Sequence, residues 1–394
     1  MTPAPRQLYF DLFQISLQPM LPAFRTGPVV LLLLLFGFAA TAGNLPPVQT
    51  VFVIVLENHS WSSFKGSVNA PFINGILLPR ASYCAQYFTP PGLHPSEPNY
   101  LWLEAGTNFG ILNDNNPSSN HQNTTNHLAA QLRLAGISWK TYQEDIPGSV
   151  VPLTSVNGYA PKHNPFVYFD DMTGTNNPYD AYGIAHNRPY TELAGDLIKQ
   201  TVARYNFITP NLCHDGHDTC APQYNAVRQT DDWLASAVPM ILNSAAYSNN
   251  GALFITWDEG GSGSDGPIGM LLLSPLARGG GYFNNIHYTH SSFLRTMQEI
   301  FGVSPWLGDA ANTTDLSDLF SSFAIHPAGT VTNGTLLFNI TGVVPGRTNF
   351  VEASTNLATW DVVSTNWSSS NSFSITDNST TNHDWKFYRV REAQ

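Results

Sequence analysis

Two short polar segments carry the residues best suited to binding a cation. The apolar run VFVIVL is followed at once by Glu57 and Asn58, and the run ALFITW is followed by Asp258 and Glu259. If the two runs are neighbouring strands, three carboxylates and one amide meet at one sheet edge, and like charges this close repel unless a cation lies between them. Oxygen ligands favour a hard divalent ion, so we expect a metal site. The alternative is that these residues only cap the helices that follow.

Three further segments place polar side chains on loops. GLHPSEPNYLWLEAGTNFG contains His94 and Thr107, although a threonine in a Gly-Thr turn is ordinarily only a turn residue. In YTHSSFLRTMQEIFG, His290 precedes a helix that the next two serines would cap, and capping alone would explain that segment. The segment TPNLCHDGHDTCAP contains four polar residues close together, His214, Asp215, His217 and Asp218. Three interpretations of it are open: a second metal site, a general acid with its orienting carboxylate, or a hydrated loop.

The cysteines indicate one disulfide. Cys213 and Cys220 are close in sequence and flank the dense polar loop, which gains from being closed, so we expect them to pair. The alternative is two independent buried thiols. Cys84 is left without a partner under either reading.

Apolar runs alternate with amphipathic stretches over most of the chain. This order is typical of an α/β protein whose mostly parallel sheet is covered by helices on both faces, with ligands bound beyond the carboxyl ends of the strands. The expected strands are Val51–Leu56, Tyr205–Ile208, Ala252–Trp257 and Met270–Ser274, and the expected helices are Asn126–Ala135, Thr191–Ala203, Ala226–Leu242 and Ser291–Phe301.

The two ends of the chain differ from this central region. The run VVLLLLLFGFAATAG is about the length of a signal-peptide core, so we expect residues 1–43 to be a signal peptide. A protein with such a segment is expected to be secreted or periplasmic. Met20 is an alternative start, and a membrane anchor is the alternative reading of the run, which is shorter than the ~20 residues that span a bilayer. After a catalytic domain at 44–325, residues 326–394 are rich in Thr, Asn and Ser and alternate in polarity, which predicts a β-sandwich-like module.

The composition of the chain argues against nucleic acid as a binding partner. The net charge is −11 and only 11% of the residues are charged, so no basic surface is expected to attract nucleic acid. The C-terminal module resembles modules appended to secreted proteins of environmental bacteria, and contact with a cell surface or a polysaccharide is one reading of it. An inert stabilising cap is the other.

Six segments in order resemble one enzyme family. LENHSW, HPSEPNY, AGTN, TPNLCHDGHD, WDEGG and YTHSSFLRTMQEIFG are similar to the phosphoesterase family of bacterial phospholipases C and acid phosphatases, within the alkaline-phosphatase-like superfamily. The resemblance implies that Thr107 is the hydroxyl nucleophile and also a metal ligand. It further implies metal ligation by Glu57, Asn58, Asp258 and Glu259, substrate contacts by Asn58, His94 and His217, and phosphate-contacting or proton-donating roles for His94, His217 and His290.

Two departures from the family pattern bear on these roles. Relatives often follow the acidic segment with Asp-His, whereas Asp265 is followed here by Gly266, so a ligand supplied by that histidine would be missing. The segment CAPQY has the first half of the sulfatase signature Cys-x-Pro-x-Arg but lacks its arginine, which argues against sulfatase activity.

The expected function is that of a secreted hydrolase of phosphoric esters that depends on a divalent metal ion and acts through a phosphothreonine intermediate. A metal lowers the pKa of a hydroxyl, and a protonated imidazole assists the departing alcohol. The substrate is a soluble phosphate ester or a phospholipid headgroup, and the lack of a basic or strongly amphipathic segment favours soluble monoesters. The alternative is a catalytically idle surface-binding or structural protein that keeps the fold.

Overall fold

The computed structural model describes residues 45–320, 324–327, 335–343, 347–370, 372–378 and 386–392. The chain divides into two units, one at Leu45–Ser321 and one that comprises the C-terminal residues from 322 onward. This division lies within a few residues of the expected domain boundary. The expected signal segment, residues 1–43, lies outside the described residues. No helix in the described part of the chain has both the length and the apolar character needed to cross a membrane.

An eight-stranded sheet organises the first unit, with the strand order β5-β4-β6-β1-β7-β8-β2-β9. Strands β3 and β10 form a separate parallel pair. In chain order the strands are β1 (Thr50–Leu56), β2 (Ser82–Cys84), β3 (Tyr87–Phe88), β4 (Trp139–Gln143), β5 (Asn187–Pro189), β6 (Tyr205–Thr209), β7 (Gly251–Trp257), β8 (Met270–Leu273), β9 (Phe283–Asn284) and β10 (Tyr288–Thr289).

The centre of this sheet is parallel. Strand β1 pairs in parallel with β6 on one side and with β7 on the other, and β4 continues the parallel arrangement beyond β6. The side chains of β1 from Val51 to Leu56 and the whole of β7 are buried, which is why both read as unbroken apolar runs. Strand β8 is antiparallel to both of its neighbours, so the sheet is mixed. The expected mostly parallel α/β class is confirmed.

Ten α-helices accompany the sheet in the described residues. They are α1 (Trp61–Phe64), α2 (Ser96–Ala105), α3 (Pro117–Asn120), α4 (Leu128–Leu134), α5 (Asp170–Thr173), α6 (Ala181–His186), α7 (Leu193–Lys199), α8 (Ala226–Leu242), α9 (Ala245–Ser248) and α10 (His290–Phe301). Short 3₁₀ segments include Pro161–His163 and Pro165–Tyr168. All four expected helices are present as α4, α7, α8 and α10, whereas the sequence did not predict α2.

The end of α2 is fixed by a glycine. Gly106 has φ 66°, in the left-handed region, and its carbonyl oxygen accepts a hydrogen bond of 2.9 Å from the Asp309 amide. A Cβ at this position would collide with the carbonyl oxygen of Leu307. Both the conformation and the close approach of the backbone therefore require glycine in the Ala-Gly-Thr-Asn turn.

The C-terminal unit is all-β, as expected. Two three-stranded antiparallel sheets have the orders β11-β12-β15 and β14-β13-β16. The rings of Phe338 and Tyr388, one from each sheet, lie 4.7 Å apart between centroids. The strands are β11 (Ala324–Pro327), β12 (Leu336–Thr341), β13 (Arg347–Ser354), β14 (Asp361–Ser368), β15 (Ser372–Asp377) and β16 (Phe387–Glu392).

Candidate active site

Strand register brings the two acidic segments together. Leu56 lies opposite Trp257 in the parallel pair β1–β7, so Glu57 and Asp258 leave the sheet side by side at the carboxyl edge. The loop after β6 reaches the same edge, where the Asp215 carbonyl oxygen accepts a hydrogen bond of 2.8 Å from the Glu57 amide. The neighbouring arrangement that the sequence analysis required is therefore present.

A histidine that the sequence analysis did not single out completes a buried cluster. One ligand atom each from Glu57, His163 and Asp215 lies within 4.8 Å of the others, and all three side chains are buried. His163 Nδ1 is 3.1 Å from Asp215 Oδ2, and its Nε2 is 3.2 Å from Glu57 Oε1. The ring stacks on Tyr100 of α2 at 5.3 Å between centroids, which fixes its plane.

Several polar atoms of this cluster have unfilled bonding capacity. Glu57 Oε1, His163 Nε2 and Asp258 Oδ2 are buried, and none of them makes a hydrogen bond of suitable geometry within the described residues, since the 3.2 Å contact between Oε1 and Nε2 has the distance but not the angles of one. Buried polar groups are normally satisfied, because an unsatisfied one costs about 1–3 kcal/mol. Carboxylate oxygens and an imidazole nitrogen that converge without partners are what a divalent cation needs, so the residues present fit a metal ion.

The electrostatics of the carboxylates agree with this fit. Burial and the charges of Asp258 and Asp215 raise the pKa of Glu57 well above its ordinary value. Burial and the charge of Glu259 raise the pKa of Asp258 to about 8. Burial, followed by the charge of Lys162, lowers the pKa of His163, which keeps the imidazole in the neutral form that ligates metals.

Helix α2 presents a hydroxyl to the cluster at its N-terminus. Ser96, the first residue of α2, is buried, and its Oγ donates a hydrogen bond of 3.1 Å to Glu57 Oε2. The next amide, that of Glu97, donates to Asp114 Oδ1 at 2.9 Å. The positive end of the helix dipole makes this position favourable for an anion.

Thr107 lies at the other end of the same helix. It follows the left-handed Gly106, and its Oγ1 accepts a hydrogen bond of 3.2 Å from the Phe109 amide. A ten-residue helix is about 15 Å long, so Ser96 and Thr107 are at opposite ends of α2. The structure therefore does not bring Thr107 to the carboxylates, and it places Ser96 where Thr107 was expected.

His94 is held between two carboxylates next to Ser96. Its Nδ1 bonds Glu259 Oε2, and its Nε2 is 3.0 Å from Asp265 Oδ1. Because both ring nitrogens face acceptors, the imidazolium form satisfies both contacts. Burial opposes the charge, but the hydrogen bonds and charges of Glu259 and Asp265 outweigh it and raise the pKa of His94. Asp265, which is followed here by Gly266 instead of the histidine often found in relatives, thus pairs with His94.

Sequence comparison assigns the family. Residues 76–304, more than half of the chain, match the family described as the Phosphoesterase family. The chain belongs to the Phosphoesterase family. The resemblance noted from the six segments is confirmed, as is the enzyme class of phosphoric ester hydrolase.

Named phosphatases are similar to this phosphoesterase. It is 32% identical over 285 residues to a phosphatidylinositol-3-phosphatase of Mycobacterium tuberculosis, which covers 72% of this chain and 86% of the relative. It is also 29% identical over 226 residues to a phosphate-repressible acid phosphatase of Penicillium chrysogenum and 28% identical over 272 residues to an acid phosphatase of Aspergillus fumigatus. These matches cover 55% and 65% of this chain, which spans about half the length of the fungal relatives, at 51% and 55%.

Solved structures with a similar overall path include a phosphonate monoester hydrolase of Agrobacterium radiobacter. Its TM-score is 0.43 at 11% identity, covering 74% of this chain and 80% of that one. A murine ectonucleotide pyrophosphatase/phosphodiesterase 5 has a TM-score of 0.43 at 12% identity, covering 69% of this chain and 100% of that one.

His290 of the phosphoesterase does not face the cluster with a free nitrogen. Its ring is buried at the start of α10, where Nε2 is 2.6 Å from the Asp258 carbonyl oxygen and Nδ1 is 3.1 Å from the Tyr87 hydroxyl. Burial lowers its pKa to about 4, so the ring is neutral at physiological pH. Its Nε2–H therefore donates to the Asp258 carbonyl oxygen, and the proton-donating role expected for His290 stays a prediction.

The remaining expected ligands, Asn58 and Glu259, lie next to Asp258. Asn58 has φ 49°, and its backbone amide donates a hydrogen bond of 3.1 Å to Asp258 Oδ1. Glu259 is paired with His94 and lies outside the trio of Glu57, His163 and Asp215.

The polar loop that carries Asp215 is closed by a disulfide. Cys213 and Cys220 are bonded, with their Cα atoms 5.7 Å apart, and Cys84 is buried as a free thiol. The Asp215 carboxylate accepts from the His217 amide at 2.8 Å, and His217 Nδ1 is 2.7 Å from Asp218 Oδ1. Closing the loop restricts the backbone that positions Asp215 over the sheet edge.

Proposed function

We propose that this phosphoesterase hydrolyses phosphoric monoesters through a covalent phosphoserine on Ser96 and depends on a divalent metal ion. The observation that carries the proposal is the hydrogen bond from Ser96 Oγ to Glu57 Oε2, made at a helix N-terminus beside a buried set of unpartnered ligand atoms. Thr107, the nucleophile expected from the resemblance, has no recorded contact with that set.

The metal would be held by Glu57, His163 and Asp215, with Asp258 adjacent. When bound, the cation neutralises phosphoryl charge and lowers the pKa of a hydroxyl. The metal-ligand roles expected for Glu57 and Asp258 remain in this proposal. Those expected for Thr107 and Glu259 do not, because the first is distant and the second is paired with His94, whereas the role expected for the Asn58 side chain stays a prediction.

The chain's own residues account for the proton movements. Glu57 Oε2 accepts the Ser96 hydroxyl proton as Oγ bonds to phosphorus and the ester P–O bond breaks. The departing alkoxide takes a proton from the His94 imidazolium, a form of catalysis worth about 10²–10⁴ in rate. Water then attacks the phosphoserine and gives a proton to His94 as the Ser96 Oγ–P bond breaks. Ser96 Oγ regains its proton from Glu57, so phosphate is released and Ser96, Glu57 and His94 return to their starting forms.

The monoester class is the part of the proposal that the relatives support. All three relatives named above are phosphatases by name. A phospholipase C activity on lipid headgroups has no comparable support in the described residues. Secretion, which the expected signal segment at 1–43 implies, stays a prediction, as does contact of the C-terminal unit with a cell surface or polysaccharide.

The test compares p-nitrophenyl phosphate with p-nitrophenylphosphorylcholine, for protein loaded with Mg²⁺, Mn²⁺, Ca²⁺ or Zn²⁺ and for protein treated with a chelator. Ser96→Ala should abolish turnover and Thr107→Val should retain it. Acid quench during turnover, followed by peptide mass spectrometry, should place the phosphoryl group on Ser96. Turnover that survives Ser96→Ala and disappears in Thr107→Val would restore Thr107 as the nucleophile. No turnover of either ester with any metal would favour an idle binding protein.

A further inference from the structure

One lysine lies next to the acidic cluster. Lys162 precedes His163 in the 3₁₀ segment, and its side chain is only 20% exposed. Its Nζ is 3.1 Å from Asp114 Oδ2 and 3.1 Å from His217 Nε2. The family resemblance assigned no role to this residue.

The contacts of Lys162 link it to the proposed nucleophile. Asp114 holds Lys162 with one carboxylate oxygen, and its other oxygen accepts from the amide of Glu97, the residue after Ser96. The lysine is therefore tied to the first turn of α2. A phosphoryl group attacked by Ser96 Oγ would lie next to this turn.

The hydrogen-bond chemistry fixes which way the protons point. An ammonium group only donates, so His217 Nε2 must accept from Lys162, and His217 Nδ1–H then donates to Asp218 Oδ1. In this arrangement, His217 orients the lysine and has no Nε2 proton to give to a leaving group. Two of the three N–H bonds of Lys162 are directed to Asp114 and His217, which leaves one for a ligand.

The charge of Lys162 acts on the catalytic carboxylates. The charges of Glu57 and Asp258 help to raise the pKa of Lys162, and the charge of Lys162 acts to lower the pKa of Glu259. A phosphate monoester dianion that enters this cluster meets several carboxylates, so it needs positive partners. The dianion carries one more negative charge than a diester, so each nearby cation stabilises it more.

We propose that Lys162 binds a non-bridging oxygen of the phosphoryl group and makes the site selective for dianionic monoesters over monoanionic diesters. This inference deepens the proposed function and rests on it. Asp114 and His217 are positioning residues for the ammonium group. The competing explanation is that Lys162 is a structural ion pair that only offsets the charge of the carboxylates.

The test uses Lys162→Met, Lys162→Arg and a matched control, Lys140→Met. Lys140 forms a similar ion pair, 2.7 Å from Asp196 and 25% exposed, on strand β4. Each metal-loaded variant is assayed with p-nitrophenyl phosphate and bis(p-nitrophenyl) phosphate, and inorganic phosphate binding is measured by calorimetric titration. Circular dichroism and thermal unfolding confirm that each variant is folded.

We expect Lys162→Met to lower kcat/KM for the monoester roughly 10- to 150-fold, the range for a hydrogen bond to a charged group. The Kd for inorganic phosphate should rise by a similar factor. The diester should lose at most a few-fold, Lys162→Arg should recover part of the monoester activity, and Lys140→Met should match the wild type.

Equal losses for the two esters, or an unchanged Kd for phosphate in folded Lys162→Met, would overturn the inference and leave Lys162 as a structural ion pair. If the wild type turned over neither ester, the proposed function would fail. The phosphate titration would still decide whether Lys162 binds the anion, so the two failures can be told apart.

Discussion

Replacing Asp258 with asparagine should stabilise the metal-free protein at neutral and alkaline pH. The Asp258 carboxyl is fully buried, and burial together with the charge of Glu259 raises its pKa to about 8, from an ordinary value of 3.8. A group whose pKa is higher in the folded state holds its proton more tightly there. The stability that this group contributes is fully present at pH values below its pKa in the unfolded state. It is lost as the pH rises from that value toward its pKa in the folded state.

The size of the effect follows from the shift. One pKa unit corresponds to 1.36 kcal/mol, and about three units separate the ordinary value from pH 7, so the ionisable carboxyl costs on the order of 4 kcal/mol at that pH. Asparagine has nearly the same shape and carries no charge. At roughly 2–4 °C per kcal/mol, the variant should unfold about 10 °C above the wild type at pH 7.

The assay is thermal unfolding of wild type and Asp258→Asn in a chelator at pH 4, 5, 6, 7 and 8, followed by circular dichroism. The difference in Tm should be small at pH 4 and should grow with pH. A matched control is Asp196→Asn. Burial opposes ionisation of Asp196, but hydrogen bonds from Lys140, Tyr142 and Thr201 outweigh this effect and lower the pKa of Asp196. Asp196→Asn should therefore become less stable relative to the wild type as the pH rises.

A metal arm completes the experiment. A divalent cation should raise the Tm of the wild type most at pH 8, where the carboxylates are ionised, and should raise that of Asp258→Asn less. A Tm difference between wild type and Asp258→Asn that stays constant from pH 4 to 8 would refute the electrostatic reasoning. An equal response of both proteins to every cation would remove Asp258 from the proposed metal site.

Three further outcomes can be measured separately. Because the pKa of His94 is raised, activity should fall as the pH rises through that pKa. His94→Asn should reduce kcat on alkyl phosphates by about 10²–10⁴, but less on p-nitrophenyl phosphate, whose leaving group needs little proton assistance. A pH–rate profile measured with both kinds of ester checks this. Replacing Cys213 and Cys220 together with serine should lower the free energy of unfolding by about 2.5 kcal/mol, from the entropy of the short loop, measured by urea denaturation. Gly106→Ala should destabilise the folded protein by more than 1 kcal/mol, by the same measurement, because Leu307 leaves no room for a Cβ and the backbone is left-handed.

The sheet and its acidic edge could be predicted because the signals are local. Strands β1 and β7 are buried on both faces, so each is a continuous apolar run, and the position of Glu57 and Asp258 at the strand ends is visible in the sequence. The pairing of the two strands was a condition of that argument, and the parallel register with Leu56 opposite Trp257 meets it. Helix α8, whose apolar residues recur with helical spacing, was predicted at its observed bounds.

His163 could not be found by the same reasoning. It lies in a 3₁₀ segment between Pro161 and Pro165, far in sequence from Glu57 and Asp215, and only the tertiary fold brings the three together. A single histidine beside a lysine has no periodicity or spacing that indicates metal binding. Lys162 was missed for the same reason, since its role depends on contacts with Asp114 and His217, which are distant along the chain.

The choice between Ser96 and Thr107 depended on recognising α2, and the sequence did contain a signal. Proline at the start of a helix is favourable because it has no N–H to leave without an acceptor, and here Pro95 precedes α2 and Pro98 lies in its first turn. That turn places the Ser96 hydroxyl at the positive end of the helix dipole, whereas Thr107 lies beyond the negative end. A phosphoryl dianion is stabilised at the first position and repelled at the second, so the direction of α2 alone favours Ser96 as the nucleophile.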